Sequence, residues 1–445
     1  MLDINLFRTD KGGNPDIIRQ SQIARAASVE LVDEIINLDR EIITINYTIE
    51  QIKRKINEVQ KEISKLIKNK TDCSHLVAKK NELENQIRQN KLIDINNLRD
   101  ALQEKLSAVG NIVHESVPID TSEENNVIVR TYSTPPTYNF KVKSHFEVML
   151  ALDMVDTERG SKIAGHRGYF LKDYGVLMNQ ALINYALAFL RKKGYILLQP
   201  PFFMFKDVIA ETVQLSDYDE NLYKVVGRTA QADDPKVTDN EKYLIATSEQ
   251  PISAYHRHET IQEDKLPIRY GGVSTCFRKE AGASGKDVQG IFRVHQFEKV
   301  EQFCLTTPET SWQMFETMIK LSEEFYQSLG IHYQVVNIVS GALNNAAAKK
   351  YDLEAWFPET NRFRELVSCS NCTDYQSVSM DIRLKRSTAK SISSGREFVH
   401  CLNSTLCATE RTMCCLVENY QTENGMIVPD VLQPYIGADF IPYRK

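Results

Sequence analysis

Two β-like runs, 274–280 and 291–305, flank a Gly- and Lys-containing loop from Ala281 to Gly290. This is the pattern of a hairpin with a long turn. Strand alternation places Cys276, Arg278 and Glu280 on one face, and Arg293, His295, Phe297, Lys299 and Glu301 together on the second run. That surface offers two arginines, two carboxylates and an aromatic ring. Arginine presents a planar, permanently charged fork to phosphate oxygens. A ring gives a base something to stack on, and a carboxylate can hold an ammonium group. The set suits a nucleotide together with an amine. A salt-bridged solvent face would use the same charges but has no need of the ring.

Such a site needs a rigid support, and the chain is long enough to build one. Its 445 residues exceed one ordinary domain. From about 125 onward, strand- and helix-like segments alternate. Gly175 to Lys193 reads as a helix that stops at Gly194, and the strand-like run YILLQPPFFM follows. The polar stretch between Tyr223 and Lys242 reads as a surface loop.

Ahead of this body lies a different pattern. Ile35, Leu38, Ile42, Ile45, Ile49, Ile52, Ile56, Val59, Ile63 and Leu66 recur at alternating spacings of three and four. That is a coiled-coil seam. A helix from Leu31 to Lys68 would be roughly 57 Å long. A less regular apolar series follows the NKTDCS segment, and Gly110 gives a stop signal. The pair predicts an antiparallel helical hairpin over about 31–109. Residues 51–108 hold 13 Lys and Arg against 8 Asp and Glu, while the whole chain carries a net charge of −5. A basic rod on an acidic body suits nucleic-acid phosphates, although a solvated coiled coil used for self-association would read the same.

The N-terminus has no basic n-region or apolar h-region, and Asp3 and Asp10 argue against a presequence. No apolar run reaches about 18 residues, so no membrane span is expected. Nine cysteines, an odd number, read as reduced thiols of the cytoplasm. Cys369 and Cys372 look like half a zinc knuckle. No second pair sits at ligand spacing, so no zinc site is expected.

The segment FRKE, the loop and VHQFEKVE resemble motif 2 of class II aminoacyl-tRNA synthetases, and more narrowly the seryl-tRNA synthetases of the eukaryotic cytosolic type. Further segments agree. GYILLQPPFFM resembles motif 1 (about 175–206), and LIATSEQPI the amino-acid turn. FRELVSCSNCTDYQS resembles the second ATP segment, and VHCLNSTLCATERTMCCLVENYQ motif 3 (about 398–421). Motif 2 spans about 273–304. The resemblance implies an α+β chain. A class II catalytic domain, 121–445, is built on an antiparallel β-sheet flanked by helices. An N-terminal tRNA-binding domain, 1–120, carries the coiled-coil arm.

The resemblance also implies roles. Arg278 and Arg411 would be catalytic, stabilising charge on the ATP phosphates. Glu280 would meet the adenine amino group, Phe297 would stack under the ring, and Arg411 would cover its other face. Lys279, Val294, His295, Gln296, Leu366 and Val367 would complete the ATP-binding segments. Glu365 and Ser368 would hold Mg²⁺ with the phosphates. Thr247, Ser248, Glu249, Arg278, Glu301 and Asn403 would surround L-serine. On the arm, Lys53, Arg54, Lys55, Lys61 and Lys65 would meet tRNA phosphates, as would Lys68, Lys79, Lys80 and Arg88. The implied partners are tRNA(Ser), tRNA(Sec) and a second copy of the chain. Glu249 could instead cap a helix, and Arg411 could pair with Glu418. One departure stands out: relatives carry an arginine pair where this chain has Val378 and Ser379. A tRNA-binding paralogue without catalysis would lack the ATP-handling set, which is present here. A class II synthetase for another amino acid would lack the TSE turn and the arm.

Overall fold

The computed structural model describes residues 1–90, 92–212, 221–226, 241–280, 290–387 and 396–444, without the side chains of 88–94. The chain forms two compact units, Met1–Gly110 and Asn111–Lys445. Residues 111–120, which the sequence places with the first domain, pack into the second. The Asn111 side chain donates to the carbonyls of Ala346 and Cys372, and Val117 is buried beside Val336 and Ile338.

In the first unit, helix α1 (Pro15–Ala24) precedes α2 (Glu30–Lys68), with the return described as α3 (Ser74–Asn90) and α4 (Leu92–Ala108). At 39 residues, α2 is roughly 58 Å long. None of the ten seam residues is exposed, so the heptad period does bury one stripe. Val59 and Ile63 meet Leu76 across the hairpin. Glu30 and Asp33 open α2, and Lys65 and Lys68 close it, each complementing the helix dipole. Lys70 takes a left-handed φ of 54° at the reversal. Buried Asp39 interrupts the apolar stripe, and the Arg8 fork satisfies it with two donations of 2.7 Å.

The second unit is organised by one eight-stranded sheet: β1 (Val127–Tyr132), β2 (Ile196–Leu198), β3 (Ile268–Phe277), β4 (Gln296–Thr306), β5 (Tyr333–Asn337), β6 (Lys349–Phe357), β7 (Arg362–Asn371) and β8 (His400–Ala408). The spatial order is β1-β5-β6-β7-β8-β4-β3-β2. Every pairing is antiparallel except that of the edge strand β2, which runs parallel to β3. Helices α5 (Tyr174–Lys192), α6 (Glu249–Ser253), α7 (Ser311–Ser328) and α8 (Thr409–Asn419) pack against it.

Alternation along β4 explains how a core and a site share one strand. Val300 and Cys304 join the main core, and Gln302 between them donates to Met318 O and Ser322 Oγ of α7. Lys299 and Glu301 point the other way, into a cavity.

Candidate functional site

The cavity has a volume of about 240 Å³ and lies within the second unit. Strands β4, β7 and β8 line it, with Arg278 and Glu280 just past the end of β3, the turn before α6 and the start of α8. At one end, Thr247, Glu249, Glu301 and Asn403 converge. The turn comes this close because Glu301 stands opposite Gly272. A Cβ there would lie 2.4 Å from Ile252 Cδ1 and 2.8 Å from Ser248 Oγ, so the glycine leaves room for these two side chains against β3.

Glu301 is buried and fully partnered. Its Oε2 accepts from Thr247 Oγ1, from Ser248 Oγ at 3.2 Å and from Glu249 N at 3.2 Å, while Oε1 accepts from Lys299 Nζ at 2.9 Å. Burial works against its charge, but Lys299 and the hydroxyl donors hold the carboxyl below its ordinary value. Glu249 differs. Its Oε1 accepts from Gln376 Nε2 at 2.7 Å and Asn403 Nδ2 at 2.9 Å. Burial and the charge of Glu301 push its carboxyl up to about 7. Glu249 is the first residue of α6, but no side-chain cap closes that helix.

The other end is cationic and aromatic. Arg278 lies over the Phe297 ring at 5.1 Å and donates through Nε to Ala246 O at 3.3 Å. Phe297 stands opposite Cys276 in the β3–β4 register. Glu280 reaches the cavity beyond the end of β3, through a left-handed φ of 51°, and accepts from Arg293 Nη1 at 3.3 Å. Arg411, in the first turn of α8, donates to Glu365 Oε2 at 3.2 Å and sits 5.0 Å from the Phe292 ring. It does not pair with Glu418, which serves His145 and the backbone of Glu359. Desolvation opposes charge on Glu365, and Arg411 and Lys350 hold its carboxyl low. Ser368 lines the wall beside it. Asp352 pairs with Ser368 in the β6–β7 register, and its Oδ1 is buried without a partner. Glu365 and Ser368 offer the oxygen donors a hard cation such as Mg²⁺ takes, though among the described residues no group of three or more His, Cys, Asp or Glu is placed to hold a metal ion by itself.

Of the site residues expected from the sequence, Thr247, Glu249, Arg278, Glu280, Val294, Phe297, Glu301, Glu365, Leu366, Ser368, Asn403 and Arg411 line the cavity. Five others stand outside the lining. Ser248 acts from behind, through Glu301. Val367 is buried in the core. His295 Nδ1 bonds Arg278 O at 2.9 Å, Arg278 N donates to His295 O at 2.9 Å, and Lys279 N donates to Asn221 O. These bonds secure the ends of the hairpin. Gln296 accepts through its carbonyl from Tyr169.

The sequence reading did not single out Phe292, Glu410 or Gln376. Phe292 has Arg364 at 3.5 Å from its ring centre as well as Arg411. Glu410 is buried and accepts from Tyr169 Oη and Glu298 N. Glu410, directly before Arg411, was the one with a local signal. Nothing in the structure accounts for Val378 and Ser379 in place of arginines.

Cys369 and Cys372 are buried free thiols, and Cys372 Sγ accepts from Asn403 Nδ2 at 3.6 Å. On the arm, Lys53, Arg54, Lys55, Lys61, Lys65, Lys68 and Lys79 are exposed, while Lys80 is half-buried and donates to Gln60 Oε1. The side chain of Arg88, the motif 2 loop at 281–289 and most of the polar loop after Tyr223 lie outside the described residues.

Comparison with known proteins places both units. The seryl-tRNA synthetase N-terminal domain model matches residues 1–113. The tRNA synthetase class II core domain model (G, H, P, S and T) matches residues 229–420. The cytoplasmic serine--tRNA ligase of Dictyostelium discoideum is 53% identical over 444 residues, covering 100% of this chain and 95% of its own. That of Candida albicans is 54% identical over 463 residues, covering 100% and 96%. Among solved structures, the cytoplasmic serine-tRNA ligase of Naegleria fowleri with AMP has 48% identity and a TM-score of 0.86, covering 100% of this chain and 99% of that one. The seryl-tRNA synthetase of Pyrococcus horikoshii with ATP has 36% identity and a TM-score of 0.89, covering 100% of both chains. With full-length similarity over both the helical arm and the class II core, the chain belongs to the seryl-tRNA synthetases.

Proposed function

We propose that the cavity activates L-serine with ATP and that the chain then esterifies the 3′-terminal adenosine of tRNA(Ser), as a cytoplasmic serine--tRNA ligase. The observation that carries this is one cavity with an arginine–aromatic end and a carboxylate–amide end, inside a chain similar over its full length to serine--tRNA ligases. The serine carboxylate attacks the α-phosphorus, and pyrophosphate leaves. No protein nucleophile is required. Arg278 and Arg411 stabilise the charge that develops on phosphate, and positioning supplies much of the rate. Phe297 and Glu280 hold the adenine. Thr247, Glu249 and Asn403 receive the amino acid, with Glu301 fixing the turn. Glu365 and Ser368 would hold Mg²⁺, which neutralises phosphate charge. The exposed arm cations meet tRNA phosphates, and the same arm would accept tRNA(Sec).

ATP–pyrophosphate exchange against serine, threonine, alanine and glycine tests this reading. Serine alone should support rapid exchange, because a site that bonds the hydroxyl rejects analogues lacking it. Equal exchange with alanine would overturn it.

We also propose a homodimer through the 175–206 region. Val176 and Leu177 on α5 and Ile196 and Leu197 on the edge strand β2 are all exposed, leaving an apolar edge of the kind that assembly covers. Light scattering at micromolar concentration should give a dimer, and a fully active monomer would contradict it.

A further inference from the structure

Two carboxylates share one end of the cavity, and only one is matched by a cation. Lys299 bonds Glu301 directly. Glu249 is held by two neutral amides, Gln376 and Asn403. The cations whose charge reaches it, Lys299 and Arg278, are engaged with Glu301 and with Ala246 O. Glu249 Oε2 has no hydrogen-bond donor among the described residues.

Gln376 is 3% exposed and stands on the short helix Tyr375–Ser379, behind the cavity wall. Its orientation matches the ionised partner: a charged carboxylate oxygen accepts only, and Nε2 is the atom that faces it. The opposite atom, Gln376 Oε1, is buried with no partner. A buried acceptor left unpaired is rarely retained. Here the uncompensated oxygen accompanies the one donor that fixes Glu249 from outside the cavity. A lysine or arginine at this position would fix the carboxylate as well, but would neutralise it.

We propose that Gln376 is a specificity-determining positioning residue: it clamps the Glu249 carboxylate through a neutral bond and leaves its negative charge for the ammonium group of the amino acid. This rests on the assignment of the Thr247–Glu249 turn to the amino acid. Selectivity for an α-amino acid over a hydroxy acid then depends on a residue that does not line the cavity.

Three variants of the full chain, Gln376→Met, Gln376→Glu and Glu249→Gln, test it by ATP–pyrophosphate exchange across pH. Methionine keeps the volume and cannot donate. Losing a hydrogen bond to a charged group should raise the KM for serine about tenfold or more, with the KM for ATP within about twofold. Glutamate keeps the shape but cannot donate once ionised, so serine KM in Gln376→Glu should rise at least as far as in Gln376→Met, with the KM for ATP again within about twofold, which a packing role would not produce. Serine KM unchanged in Gln376→Met but raised in Glu249→Gln would overturn the clamp alone. Unchanged serine KM in all three variants would overturn the assignment of the turn as well. Equal rises in serine and ATP KM in Gln376→Met and Gln376→Glu would show a structural role and also overturn it.

Discussion

Glu249 and Glu301 are joined by a hydrogen bond from the backbone of one to the side chain of the other, yet their carboxyls are displaced in opposite directions. The difference is the lysine. Lys299 offsets desolvation for Glu301, while Glu249 has amides that bond without cancelling charge. A pH dependence follows. Only ionised Glu249 holds an ammonium, and its carboxyl sits at about 7. Serine KM should therefore fall as pH rises from about 6 to about 8. Glu249→Gln should flatten that profile and raise KM throughout. Because the folded value is raised, ionised Glu249 costs stability at pH above its unfolded value. The same variant should therefore be no less stable at about pH 8 in thermal melts. A KM for serine independent of pH in the unaltered chain would contradict the assignment.

At the scale of elements, the end of the cavity proposed for serine depends on how closely α6 approaches β3. Gly272 lies under that approach, and a Cβ there would meet the side-chain ends of Ile252 and Ser248. Gly272→Ala should push the turn outward, at a cost of about 1–3 kcal/mol in stability. It should weaken serine binding while sparing ATP, whose proposed end of the cavity is built from the residues just past β3, from β7 and from α8. Isothermal titration with each ligand separates these effects, and an equal loss for both would argue against it. The hairpin of β3 and β4 shows what alternation could and could not foretell. Phe297, Lys299 and Glu301 share the cavity face as the period of two requires. Glu280 does not owe its place to alternation: it lies past the strand, in a left-handed turn that strand periodicity cannot anticipate. His295 also sits just outside the strand and braces the hairpin instead of facing the cavity.

Across the whole molecule, the proposed tasks fall in separate units. Every residue lining the cavity falls within Asn111–Lys445, and every arm cation within Met1–Gly110. Removing residues 40–100 should spare serine-dependent ATP–pyrophosphate exchange and abolish charging of tRNA(Ser). Charging by the intact chain should also fall steeply with salt, as phosphate contacts do, while exchange changes little. Exchange lost with charging retained would refute this division.

The sequence by itself determined the arm and the kinds of chemistry. A heptad period is local, each buried position specifying the next, so α2 could be read almost to its ends. The residue types at 278, 280, 293, 297 and 301 already suggested a nucleotide and an amine. Only the tertiary structure decided which partner each group received. Lys299 reaches Glu301 two positions along the same strand, but Gln376 and Asn403 meet Glu249 across 127 and 154 residues. Gln376 stands on the short helix after β7 and Asn403 on β8, so those meetings depend on how the folded sheet brings these elements to α6. The charge that Glu249 keeps for a ligand is therefore a product of the fold, written in no single segment of the chain.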